Sequence, residues 1–265
     1  MELVRRGLTA SREVARQEID SGNVVVGGAP ALKASRLVAP DEALALQRDT
    51  RRFVSRGGEK LDHALNQFEV PVSGRLAIDA GASTGGFTDC LVRRGASEVV
   101  AVDVGRGQLH ERLRTDPRVR VVDRTNVRYL TLTDLPVGRP ADLVVADLSF
   151  ISLPVVAPAL LGLAAPDADL VLLVKPQFEA GRAAVSRGRG VISDPAVWRS
   201  SILNVRDAYA AAGAVMMSVV ASPLLGAEGN AEFLVHLRPD GSNAATTHDV
   251  EADLHAAIRA AVERG

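Results

Sequence analysis

The sequence has one cysteine, Cys90, in 265 residues, so an intrachain disulfide is excluded and a reducing compartment, the cytoplasm, is expected. Its five histidines are scattered and form no pair at zinc-ligand spacing, which points to a metal-free protein. Aromatic residues make up 3% of the chain, too few for rows of side chains that stack on nucleobases. No apolar segment follows Met1-Glu2-Leu3-Val4-Arg5-Arg6, so a secretory signal is not expected. The longest uncharged run, Ala208 to Ala227, has the length of a membrane span but is interrupted by Gly213, Pro223 and Gly226. It reads as the end of a helix, a glycine stop and a buried strand from Ala214 to Val220, and no membrane is expected. Repeats and low-complexity tracts are absent, and 47% hydrophobic against 24% charged residues excludes disorder.

What is present is unevenly distributed. Residues 1 to 60 hold eleven Lys/Arg against eight Asp/Glu, so a net charge of -1 conceals a basic end where a polyanion would bind. From Arg75 onward, apolar β-rich runs alternate with helical stretches. The expected strands are 75 to 79, 98 to 103, 119 to 123, 142 to 147, 169 to 175, 214 to 220 and 232 to 238. Several are solidly Val, Leu and Ile, as in parallel strands covered on both faces, and this is the pattern of an α/β, doubly wound, Rossmann-like sheet. Four of the strands end on Asp79, Asp103, Asp147 and Lys175, and ligands bind just beyond such carboxyl ends. Residues 1 to 47 form a small α+β domain of their own. There Ser11 caps a helix through Asp20, Gly22 stops it, Val24-Val25-Val26 is a strand and Gly27-Gly28-Ala29-Pro30 a turn. Residues 48 to 59 read as a linker and 60 to 265 as the main domain.

The loop Asp79-Ala80-Gly81-Ala82-Ser83-Thr84-Gly85-Gly86-Phe87 joins an apolar strand to the helix Thr88 to Arg94. Its glycines let a ligand approach the backbone at a helix N-terminus. A dinucleotide fingerprint requires glycine where Ser83 stands, and a P-loop requires Gly-Lys-Ser/Thr, so nicotinamide and nucleotide triphosphate chemistries lose their support. An acid at the strand end, a glycine-rich loop and Asp103 ending the next strand suit S-adenosylmethionine. Gly81 and Gly85 would lie against its methionine part, with Ser83, Gly86 and Phe87 in the same loop, and Asp103 would accept from the ribose hydroxyls. Asp123 and Asn126 either bond the adenine edge or shape a turn.

These stretches, with Leu3 to Leu8, Ser11-Arg12, Val54-Ser55-Arg56-Gly57-Gly58-Glu59-Lys60-Leu61, Asp147-Leu148-Ser149-Phe150, Val174-Lys175-Pro176-Gln177-Phe178-Glu179 and Gly229-Asn230-Ala231-Glu232, resemble the TlyA family. Its members are bacterial rRNA 2'-O-methyltransferases, also labelled haemolysins, with an FtsJ-like catalytic domain. The resemblance implies seven strands with the last antiparallel, and a catalytic tetrad at Lys60, Asp147, Lys175 and Glu232. Lys175 would act as base, Asp147 and Glu232 would orient it and the hydroxyl, and Lys60 would position the ribose or phosphate. Read without the resemblance, Asp147 could equally cap a loop, Lys175 end a solvated strand, Lys60 lie on a surface, and Glu179 serve as a loop ion-pair partner. The N-terminal domain resembles an RNA-binding fold of a small-subunit ribosomal protein, in which Arg5, Arg6, Arg12, Arg16, Lys33, Arg36 and Arg56 would contact phosphates of rRNA or ribosomal subunits. Arg182, Arg187 and Arg189 either touch RNA or stay mobile. Pyrimidine carbon methylation needs a thiolate, whereas Cys90 falls inside a helix; the prolines typical of amine methylation are missing after Asp147. The competing classes are a non-catalytic ribosome-assembly factor and a haemolysin.

Overall fold

Apolar runs that close on an acid or a lysine become the parallel strands of a central sheet. The computed structural model describes residues 2–20, 24–31, 35–46, 52–180, 191–226, 228–240 and 249–264. The chain divides into two units, 1–51 and 52–265.

In the smaller unit α1 (Glu2–Arg5) and α2 (Arg12–Asp20) precede a sheet of β1 (Val24–Val26), β2 (Ala29–Pro30) and β3 (Leu44–Leu46), ordered β2-β1-β3 and antiparallel throughout. Ser11 caps α2 as expected, its Oγ accepting from Val14 N at 3.2 Å. The core is small: Leu3, Ala15, Val24, Val26 and Ala31. Gly22 lies outside the described residues.

The larger unit runs α3 (Gly57–Gln67), β4 (Leu76–Ala80), α4 (Gly86–Arg93), β5 (Glu98–Val102), α5 (Glu111–Arg114), β6 (Val119–Val122), β7 (Ala141–Ala146) and α6 (Leu153–Leu163). It continues through β8 (Ala164–Val174), α7 (Pro176–Glu179), α8 (Pro195–Ala211), β9 (Ala214–Ala221), β10 (Phe233–Pro239) and α9 (Val250–Val262). The sheet order is β6-β5-β4-β7-β8-β10-β9. All neighbours are parallel except β10, which is antiparallel to both β8 and β9. The order reverses between β4 and β7, which opens a crevice at their carboxyl ends. Two cores cover the sheet faces, one holding Leu76, Ile78, Val144 and Leu172 and the other Leu61, Leu91, Leu143 and Val171. Each such fully buried side chain contributes about 1.5–3 kcal/mol.

The uncharged run resolves as read from sequence: α8 ends at Ala211, Gly213 adopts φ +90° and β9 follows. Cys90 is a buried core residue of α4, its thiol pushed up to about 12 by burial. Two expectations are corrected. The stretch read as a linker through residue 59 is folded from Arg52 onward, because Phe53 is 4% exposed and α3 starts at Gly57; its first residues, 48–51, lie outside the described residues. The strand expected from Asp169 begins at Ala164, and Asp169 lies within it, fully buried. It accepts from His236 Nε2 at 2.8 Å, Arg238 Nε at 2.7 Å and Arg75 Nη1 at 2.5 Å. Burial alone would raise its pKa, but these hydrogen bonds bring the carboxyl below its ordinary range.

Candidate active site

The crevice holds two adjoining cavities. The larger, about 740 Å³, is lined by Gly81, Ser83, Asp103, Asn126, Leu148 and Ile151 among others, a size that suits a small-molecule cofactor. Gly81 has φ +84°, and a Cβ there would stand 2.6 Å from the Asp147 carbonyl oxygen, so the loop can pass only without a side chain. Gly81 and Ala82 donate to the Val102 carbonyl at 2.8 and 3.0 Å, and Ser83 N donates to Asp103 Oδ2 at 2.8 Å. Asp103 thus steadies the loop while facing the cavity. Asn126 lines the cavity too; its Oδ1 accepts from Arg128 N at 3.0 Å, the turn-shaping role, which leaves its NH₂ group to a ligand.

Three expected cofactor contacts line neither cavity. Asp79 is fully buried beneath the loop, accepting from Thr88 Oγ1 at 2.6 Å, and burial with the charges of Asp147 and Asp103 pushes its carboxyl up to about 7. Gly85 packs on Leu113 and Leu109, and Asp123 accepts from Gly107 N at 2.9 Å. Gly86 and Phe87 line the smaller cavity instead. A Cβ on Gly86 would fall 2.2 Å from Ser55 Oγ, which explains why α4 must start on glycine against the loop before α3.

That smaller cavity, about 470 Å³, gathers Lys60, Asp147, Lys175 and Glu232. Lys60 comes from α3, Asp147 and Lys175 follow the parallel strands β7 and β8, and Glu232 precedes β10. Because β10 is antiparallel, its start lies beside the end of β8, with Phe233 paired to Val174. The four form two ion pairs. Lys175 Nζ lies 2.6 Å from Asp147 Oδ1 and donates to Ser149 Oγ at 3.1 Å, and Lys60 Nζ bonds Glu232 Oε2. Lys60, Lys175 and Glu232 are buried, which is unusual for these residue types unless paired. Glu228 is exposed on the preceding loop. Gly81, Ser83, Asp147 and Ser149 line both cavities, so the two adjoin.

Residues 53–239, the sheet with its loops, match the FtsJ-like methyltransferase family. The chain belongs to that family. Its curated relatives include TlyA enzymes. A 16S/23S rRNA (cytidine-2'-O)-methyltransferase TlyA of Mycobacterium tuberculosis is 49% identical over 97% of this chain and 95% of its own length. Hemolysin A of Brachyspira hyodysenteriae is 36% identical over 87% of this chain and 95% of its own. A solved structure from Streptococcus thermophilus named as a hemolysin superposes with a TM-score of 0.75 at 35% identity, covering 98% of this chain and 94% of that one.

Several features of this site escaped sequence reading. Ser149 lay in a recognised motif, but only the fold shows it holding Lys175. Few aromatics gave no expectation of a stacking surface, yet Phe150 is 92% exposed at the cavity rim with φ +63° and tilts against Phe178 at 5.3 Å. Among the described residues Glu179 has no ion-pair partner. Its carboxylate accepts from Ser152 Oγ at 2.6 Å and Leu153 N at 2.9 Å, caps α6 and joins the loops after β7 and β8, and burial raises its pKa.

Of the expected RNA contacts, Arg12 and Arg16 are exposed on α2, and Arg56 is exposed beside the smaller cavity. Arg5 and Arg6 bond Glu2, and Arg6 also donates to the carbonyls of Glu42 and Ala39 at 2.7 and 2.9 Å. Arg36 donates to Glu42 Oε1 at 3.1 Å. Arg6 and Arg36 therefore also hold the small unit together. Lys33, Arg182, Arg187 and Arg189 lie outside the described residues.

Proposed function

We propose that this protein transfers a methyl group from S-adenosylmethionine to the 2'-oxygen of ribose, at a cytidine of small- or large-subunit rRNA, in the cytoplasm. The observation that carries the reading is the tetrad cavity opening onto a cofactor-sized cavity through four shared lining residues. The cofactor, when bound, supplies a methyl group on a cationic sulfur. The remaining chemistry belongs to the chain. A ribose hydroxyl is a weak acid, so its reaction needs removal of the proton and close alignment of the reactants. Lys175 Nζ, held by Asp147 and Ser149, takes the proton. Glu232, paired with Lys60, orients the hydroxyl, and Lys60 positions the ribose or its phosphate. The two ion pairs line one cavity, so all four groups face the same bound ribose.

Gly81, Ser83, Asp103 and Asn126 would hold the cofactor, while Asp79, Gly85 and Asp123 brace the loops that present them. Arg12 and Arg16 of α2, in a unit resembling a ribosomal RNA-binding domain, would contact rRNA phosphates. A non-catalytic assembly factor has no use for two buried lysine–carboxylate pairs at a cofactor cavity. As for the hemolysin names among its relatives, no helix among the described residues is long and apolar enough to cross a membrane. The test is 2'-O-methyl mapping of rRNA at nucleotide resolution in cells with the protein, without it, and with Lys175→Ala. A methylated cytidine that depends on the protein and on Lys175 is expected; an unchanged map refutes the proposal.

A further inference from the structure

Ion pairing divides the arginines of the larger unit into two populations. Most, from Arg52 and Arg75 through Arg120 to Arg199 and Arg238, lie within 4 Å of a carboxylate. Among the described residues, Arg56, Arg106, Arg124, Arg128, Arg259 and Arg264 have no such partner. Arg264 donates to the Ser222 carbonyl and Arg259 belongs to α9, but the other four lie at the carboxyl edge of the sheet, Arg56, Arg106 and Arg124 on loops and Arg128 in a single 3-10 turn over Val127–Tyr129. Arg56 borders the tetrad cavity. Arg128 lines the cofactor cavity, and Arg106 and Arg124 stand on the loops after β5 and β6 whose residues wall it; all three are exposed.

The acids nearest in sequence do not tie them down. Asp103 spends both oxygens on the backbone of Ser83 and Gly105, at 2.8 and 2.7 Å, and Asp123 accepts from Gly107 N at 2.9 Å. The same loops are laced together by Arg124 N to the Gly105 carbonyl and Thr125 N to the Asp103 carbonyl, each at 2.9 Å. This lacing holds Arg124 at φ +57°, a left-handed conformation that glycine or asparagine adopts more readily. A bulky cation in such a position points to a use for the side chain. Nearby, Arg128 stands 5.5 Å from the ring of Tyr129, itself 70% exposed, and Phe150 projects from the same rim. Unpaired guanidinium groups interleaved with exposed rings are the composition that meets single-stranded RNA, phosphate by charge and base by stacking.

We propose that Arg106, Arg124 and Arg128 hold backbone phosphates of the RNA substrate across the mouth of the cofactor cavity, so that bound RNA covers the cofactor and delays its exchange. This rests on the rRNA methyltransferase reading above. It adds an RNA-contacting face on the catalytic unit itself and an order of events: cofactor enters before RNA and its demethylated product leaves after RNA.

The test compares the full-length protein with Arg106→Gln/Arg124→Asn/Arg128→Gln, using an rRNA fragment that the unaltered protein methylates. Asparagine at 124 suits the left-handed backbone, so the variant should melt no lower than the unaltered protein. Without RNA, its affinity for S-adenosylmethionine should be unchanged. The slope of log K against log salt for RNA binding should fall by about 2 to 3, at roughly 0.7–0.9 for each phosphate no longer neutralised. RNA should slow exchange of labelled cofactor from the unaltered protein at least tenfold, and much less from the variant. Arg199→Gln/Arg206→Gln, on α8, should leave the salt slope as it was. An unchanged slope in the triple variant, exchange indifferent to RNA in the unaltered protein, or weakened cofactor binding without RNA would each overturn the inference. A triple variant that kept the RNA salt slope but lost binding to an acidic protein would overturn it too, in favour of a protein partner at the rim. If the unaltered protein methylated no rRNA at all, the functional reading itself would fall instead.

Discussion

Asp79 allows a quantitative test of how the loop under the cofactor cavity is built. The side chain is fully buried, only Oδ2 is hydrogen-bonded, to Thr88, and Oδ1 has no partner. Burial first, then the neighbouring charges of Asp147 and Asp103, raise its pKa from 3.8 to about 7. Between about pH 4 and pH 7 the folded protein therefore keeps a proton that the unfolded chain has released, and stability falls as pH rises through that window. About three pH units at 1.36 kcal/mol each make this loss about 4 kcal/mol, complete above pH 7 and absent below pH 4. Glu179, whose pKa burial also raises, contributes in the same direction. Asp169 opposes them, because its lowered pKa gives stability that is present at neutral pH and lost as pH falls toward that pKa. A difference measurement isolates Asp79. In Asp79→Asn the amide imitates the protonated acid and can still accept from Thr88, so the pH-dependent loss disappears. Urea unfolding followed through Trp198, the one tryptophan and 5% exposed in the larger unit, should show the variant gaining about 3–4 kcal/mol relative to the unaltered protein between pH 4.5 and pH 8. Two stability curves that run parallel across that range, within about 1 kcal/mol, would refute the reasoning.

Three further outcomes follow from the same geometry. Glu232→Gln should cut single-turnover methyl transfer at least tenfold, about 1.4 kcal/mol of barrier, while leaving RNA affinity nearly intact, and exposed Glu228→Gln should do much less; the reverse order would remove Glu232 from the tetrad. Deleting residues 1–51 should weaken rRNA binding and lower its log–log salt slope by about 0.7–0.9 for each phosphate the small unit neutralises, so an unchanged slope in the folded remainder would count against an RNA role for that unit. Cys90, buried in α4 with a thiol pushed up to about 12, should resist iodoacetamide under native conditions and react in urea; native labelling at the rate of a free thiol would contradict its placement.

Seven strands and their polar ends were legible in the sequence, because a parallel strand covered on both faces must be apolar throughout and its ligand-facing end need not be. So was the preference for Glu232 over Glu228, since an antiparallel β10 brings its first residues to the edge where its parallel neighbours end. The glycines of the 79–87 loop could also be read, although sequence alone did not separate Gly81, which lines both cavities, from Gly85, which packs on Leu113. Local pattern placed Asp103, Asp147 and Lys175 just past the ends of strands, but not Asp79 and Asp169, which lie within β4 and β8. It did not decide which of them touch. The pairing of Lys60 with Glu232 across 172 positions, the burial of Asp79 beneath the loop it was expected to serve, and the carboxylate of Glu179 capping a helix 26 residues away are decided by packing. Hydrogen bonds and ion pairs reach about 3 Å, and only the folded sheet brings distant residues within that range.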